Sequence, residues 1–203
     1  MKLYPTIVSI ILYTMAMYLQ AATPLDNFLN GLQTLQANFI QVVTSANRHN
    51  SQVSKGKFYL KRPNLFRWDY SDPKGQQVVA DGSRIWLYDP ELLQVSHQAQ
   101  EDALRGSPVQ LLSGKEPITR HFKVINVGIY KNIHWLKLIP KSENSEIVRI
   151  DLGFRDEYLE QFKMVDVLGQ TTQFAFNRVK RNLQLPNRFF HFRTPPGADV
   201  LHN

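Results

Sequence analysis

The 203-residue chain contains no cysteine. That absence excludes disulfides, thiol nucleophiles, thiolate metal sites and an N-terminal cysteine that could carry lipid. Glycine is scattered: ten glycines are never closer than the seven residues between Gly75 and Gly82, so neither a GxGxxG nor a P-loop is present. The histidines His49, His97, His121, His134, His191 and His202 lie at least eleven residues apart, without an HExxH spacing. No serine sits in a GxSxG elbow. Acidic residues are in deficit, 17 against 24 Lys and Arg, for a formal net charge of +7. There is no internal repeat and no low-complexity tract. These absences predict a protein that is not an enzyme and uses no cofactor and no metal.

A 43% hydrophobic and 20% charged composition is that of one folded domain. The chain opens with Met1-Lys2 and an apolar run from Leu3 to Leu19, broken by Thr6, Ser9 and Thr14 and ending in Gln20-Ala21-Ala22. This predicts a signal peptide over residues 1–22, cleaved near Ala21 or Ala22; the alternative is an uncleaved anchor, because the run approaches the ~20 residues of a membrane span. Residues 23–203 then form a single exported domain. Loss of Lys2 leaves 23 cations against 17 anions, or +6.

Thr23, Pro24 and Asp26 read as a capping box with proline at the first helical position. Leu25, Phe28, Leu29, Leu32, Leu35 and Phe39 then recur at helical spacing, predicting a helix of roughly four to five turns. Beyond Ser54 the period becomes two. Strands are expected over 56–62, 65–70, 76–81, 84–88, 122–127, 134–139, 146–154, 159–167, 170–179 and 188–192, separated by turns such as Asp81-Gly82-Ser83. Val148, Ile150, Leu152 and Phe154 share one face of their strand. Ser107-Pro108 through Gly114 reads as a short helix. The fold class is α+β, a large antiparallel sheet with helices on its apolar face.

Phe66, Trp68, Trp86, Tyr88, Trp135, Phe154, Phe162, Phe174, Phe176 and Phe192 all fall in these strands. They fit either a closed core or a curved sheet with an apolar cavity. The segment Lys55 to Arg62 with Phe66, Arg67 and Trp68 mixes cations with aromatics, as nucleic-acid sites do, yet alternation explains it as a half-buried strand. No nucleic acid partner is expected. The basic excess suits anionic lipid surfaces or acidic proteins.

Two segments carry a resemblance, Lys61-Arg62-Pro63-Asn64-Leu65-Phe66-Arg67-Trp68 and Asp81-Gly82-Ser83-Arg84-Ile85-Trp86-Leu87-Tyr88-Asp89-Pro90. With Leu35 to Gln41, Ser107 to Leu112 and Thr194 to Val200, they resemble the periplasmic outer-membrane lipoprotein carrier family, LolA. The resemblance implies an incomplete antiparallel β-barrel with a helical lid covering an apolar cavity for lipoprotein acyl chains. It implies partners too: lipoprotein cargo, an inner-membrane ABC lipoprotein-releasing complex and an outer-membrane receptor of the LolB type, with the carrier a periplasmic monomer. Arg62 would gate the lid. Phe66, Trp68, Trp86, Tyr88, Val148 and Ile150 would line the cavity, and Leu32, Leu35, Phe39, Val109, Leu111 and Leu112 would be the lid's apolar contacts. The alternative within this fold is a periplasmic lipid-sensing or regulatory protein. A lipidated receptor is disfavoured by the missing cysteine, and a lipid hydrolase by the missing nucleophile and base.

Overall fold

The computed structural model describes residues 22–47, 50–104, 112–114 and 116–202. The expected signal peptide lies outside the described residues, save Ala22. Among the described residues twelve strands form one curved, unclosed sheet in the order β12-β6-β5-β4-β3-β2-β1-β11-β10-β9-β8-β7. They are β1 (Thr34–Thr44), β2 (Ser51–Lys61), β3 (Leu65–Asp72), β4 (Lys74–Asp81), β5 (Arg84–Asp89) and β6 (Gln94–Ala99), then β7 (Phe122–Tyr130), β8 (Ile133–Pro140), β9 (Ile147–Arg155), β10 (Tyr158–Asp166), β11 (Thr171–Arg181) and β12 (Asp199–His202). Every pairing is antiparallel except β12 on β6. The helices are short: α1 (Pro24–Leu29) and α2 (Gln100–Leu104).

The first helix stops where the hydrophobic spacing continued. Thr23 caps α1 as expected, with its hydroxyl accepting from the Asp26 N–H and the Asp26 carboxylate accepting from the Thr23 N–H. Asn30 then leaves the helix and Gly31 takes φ +64°, a left-handed turn that glycine adopts without strain. Leu35 and Phe39 therefore sit on β1 and Leu32 in the connection. A spacing of four residues satisfies both periods, since it is one helical turn and also an even number of strand steps. All three are buried in the core that also holds Leu25 and Phe28 of α1; the expected four-to-five-turn helix is what the structure replaces, with one short helix followed by a strand.

Leu25 and Phe28 of α1 are fully buried, with Phe28 5.9 Å from Phe154. Leu136, Leu138, Ile150 and Leu152 of β8 and β9 belong to the same buried core, so the β8–β9 part of the sheet's inner face is filled. The segment expected as a strand over 188–192 is instead a 3₁₀ turn, Asn187–Phe190, entered from Pro186. It lies on the convex face: Lys61 Nζ donates to Leu185 O at 2.6 Å, and Tyr59 meets Phe189 edge-on at 4.7 Å.

Candidate functional site

The remaining concave surface carries a half-open cavity of about 370 Å³. Phe58, Phe66, Trp68, Val78 and Ile85 come from β2–β5, and Phe162, Met164, Phe174 and Phe176 from β10 and β11. Six strand steps separate β5 from β10, a span of ~29 Å in a flat sheet at ~4.8 Å per step. Ile85 and Phe162 line one cavity only because the sheet curls through that distance. The rings are mutually fixed: Trp68 lies 4.3 Å from Phe58 and 4.9 Å from Phe174, which stacks on Phe176 at 5.9 Å.

Polar groups occur together on this lining, where Gln41, Tyr70 and Thr172 join it. The Tyr70 hydroxyl donates to Gln41 Oε1 at 3.0 Å, and burial pushes its pKa above the ordinary tyrosine value, so it stays a donor. Ala103 of α2 and Leu112, in the helical pair Leu112-Ser113, complete the wall. The arrangement is a wide apolar surface with a small polar group, suited to a long apolar chain bearing one polar end.

Arg62 joins the helical segments to the sheet. Its Nη1 donates to Leu29 O at 3.3 Å and its Nη2 to Gly114 O at 2.5 Å. These are carbonyls at the ends of two helical segments, groups left without intrahelical partners that a guanidinium fork can satisfy together. Beside it, the Asn64 N–H donates to Ser113 O at 3.1 Å.

A second arginine does the same and carries no sequence signal. Arg181 Nη2 donates to Phe28 O and Asn30 O, both at 2.9 Å, and its guanidinium lies 5.6 Å from the Phe28 ring centroid. In sequence it belongs to Arg178-Val179-Lys180-Arg181, which reads as solvated charge at a strand end. Asn182 adds acceptance from the Gln33 N–H at 2.9 Å and donation to Gly31 O at 3.0 Å. Gln100, 4% exposed, likewise anchors α2: its Nε2 donates to Asn64 O at 2.6 Å and its Oε1 accepts from the Gly82 N–H at 2.9 Å.

The expected lining residues divide. Phe66, Trp68 and Leu112 are on the cavity wall. Ile150 is buried in the adjacent solid core. Trp86 and Tyr88 are on the convex face, because alternation along β5 turns them away from Ile85. The Trp86 ring stacks on Phe192 at 5.4 Å, and its indole N–H donates to Asp81 Oδ2 at 2.8 Å. Burial alone would raise the Asp81 pKa, but hydrogen bonds from the Arg84 and Ser83 N–H groups, the Ser83 hydroxyl and Trp86 bring it below the ordinary aspartate value. The Asp-Gly-Ser-Arg-x-Trp motif therefore builds a turn and an outer-face anchor. Val148 is 49% exposed, because the β9–β10 register shift skips it and Ile147 packs on the core instead. Val109 and Leu111 lie outside the described residues.

Comparison with known proteins bears on the same residues. The family model for "Outer membrane lipoprotein carrier protein LolA" matches residues 30–193. The chain belongs to the LolA family. A Nitrosospira multiformis protein named outer-membrane lipoprotein carrier protein is 36% identical over 192 residues, covering 94% of this chain and 93% of its own. A Dechloromonas aromatica protein of the same name is 38% identical over 181 residues, covering 89% and 87%. Among solved structures, an uncharacterized conserved protein from Thermus thermophilus superposes with a TM-score of 0.54 at 16% identity, covering 89% of this chain and 97% of that one, a likeness of fold. The LolA match spans β1 through β11 and thus every strand that lines the cavity.

Proposed function

We propose that this protein is a periplasmic carrier that shelters the acyl chains of lipoproteins in the concave cavity while they cross between membranes. Cargo is accepted from an inner-membrane ABC lipoprotein-releasing complex and handed to an outer-membrane receptor of the LolB type; the carrier works as a monomer and performs no chemistry on its load. The observation that supports this reading is the aromatic cavity around Trp68, Phe174 and Phe176 in a chain whose relatives bear the carrier name. Each methylene removed from water contributes ~0.8 kcal/mol, so about ten contribute roughly 8 kcal/mol. A cavity of about 370 Å³ holds part of such a load. The rest of the cargo demands displacement of the helical lid, which in this proposal is α1, α2 and the segment ending at Gly114, latched by Arg62.

Adjacent residues on β5 supply the test. Ile85→Asp puts a charge on the cavity wall and is expected to weaken uptake of a fluorescent fatty acid by more than about tenfold, since a buried unpaired carboxylate is costly. Trp86→Phe, on the opposite face, is expected to leave uptake unchanged. Equal uptake by both variants and the parent protein would remove the cavity from the proposal.

A further inference from the structure

The convex face carries a second concavity that acyl-chain carriage leaves unused. Between β3–β4 and the segment that follows β11 lies a groove of about 540 Å³. Its walls are basic and aromatic, formed by Arg67, Arg188 and Arg193 together with the His191 imidazole and the rings of Phe189 and Phe192, and no carboxylate side chain lines it. Arg67 is held in place by Asp69, with Nε–O distances of 2.8 and 2.9 Å, and its guanidinium sits 4.9 Å over the Phe189 ring. The side chains of Arg188, His191 and Arg193 are exposed and form no hydrogen bond or ion pair among the described residues, although the His191 backbone N–H donates to Arg188 O at 3.3 Å.

The wall bearing these side chains is firmly seated. Phe190 is fully buried beneath it, Arg67 Nη1 donates to Phe189 O at 3.3 Å, and Phe192 stacks on the Trp86 ring that Asp81 holds. The groove is thus a built, positively charged channel on a chain of net charge +7.

We infer that this groove docks an extended, acidic segment of a partner protein. The guanidinium groups at 188 and 193 are strung along the chain with His191 and aromatic rings between them, a pattern matching carboxylates on a linear strand with apolar side chains among them. A phosphate headgroup is compact and is recognised by donors that converge on it. A bilayer presents a plane, which does not enter a groove whose Phe189 and Phe192 rings are half-buried in its walls. Complementary charge of this kind speeds encounter and fixes register.

Binding of a fluorescein-labelled oligoglutamate peptide to the signal-free protein, followed by anisotropy, tests the inference. Saturable binding that weakens with salt and falls by more than about tenfold in Arg188→Glu/Arg193→Glu, with uptake of a fluorescent fatty acid unchanged, is the expected result. Arg188→Gln/Arg193→Gln is expected to fall between. Peptide binding that survives charge reversal, or its absence, overturns the inference. So does charge-sensitive binding to phosphatidylglycerol vesicles without peptide binding, which would make the groove a lipid contact. Fatty-acid uptake reports on the opposite face, so failure here is distinguishable from failure of the carrier proposal.

Discussion

Arg62→Leu is expected to give a folded carrier that loads lipoprotein readily and unloads it at least about tenfold more slowly. The guanidinium closes the helical segments onto the sheet through Leu29 O and Gly114 O. Hydrogen bonds from a charged donor contribute ~1.5–3 kcal/mol each when formed. Closure of the empty protein thereby offsets part of the acyl burial energy and lets cargo leave. Without the latch that offset is gone, and 1.4 kcal/mol of extra net affinity already slows release tenfold. Arg181 continues to hold α1 through Phe28 O and Asn30 O, so the variant keeps its fold. The check is lipoprotein transfer from loaded carrier to receptor-bearing vesicles. Transfer at the parental rate would show that Arg62 is only a structural tie.

Phe39→Ala is expected to cost about 3–5 kcal/mol of folding free energy, the range for deleting a buried aromatic side chain. Phe39 is 2% exposed on β1, with Trp68 at 4.8 Å, Tyr70 at 5.2 Å and Phe174 at 6.0 Å, all edge-on. Its ring also covers Gly56, where a Cβ would stand 2.8 Å from the ring and closer still to Asp69 O. The hole left by alanine thus has a side-chain-free backbone on one side and three interlocked rings on the other, and it collapses poorly. At ~2–4 °C per kcal/mol for a chain of this size, the midpoint falls by roughly 6–20 °C. Urea unfolding measures the loss directly. A loss below about 1 kcal/mol would contradict the placement of Phe39 among these rings.

These residues also show what was legible in the sequence. The capping box at Thr23 was, because it is a local hydrogen-bond arrangement written in three residue types. So were most strand positions from β2 to β11, where alternation is set by one buried face. The extent of the first helix was not, because Leu35 and Phe39 keep a common face under either period and only Gly31 breaks the run. Strands β6 and β12 were missed because Gln94 to Ala99 and Asp199 to His202 carry too few apolar side chains to alternate visibly, and neighbouring strands define them instead. Trp86 illustrates a different limit. Its motif is conspicuous, yet which face it occupies depends on the parity of β5 against the curled sheet, a nonlocal property. Arg62 stood out through its motif, whereas Arg181 looked like surface charge, since its value lies in carbonyls about 150 residues away in the chain.

The chain has three tryptophans, and Trp68 alone of them lines the cavity, with Trp86 on the convex face. That distribution permits a direct test of acyl-chain binding at the concave site: titration of a brominated fatty acid against two single-tryptophan proteins, Trp86→Phe/Trp135→Phe, which keeps Trp68, and Trp68→Phe/Trp135→Phe, which keeps Trp86. Bromine quenches indole fluorescence only near contact, so saturable quenching of Trp68 with Trp86 unaffected is the predicted result. Quenching of Trp86 with Trp68 unaffected would contradict it and move the acyl chain to the other face of the sheet.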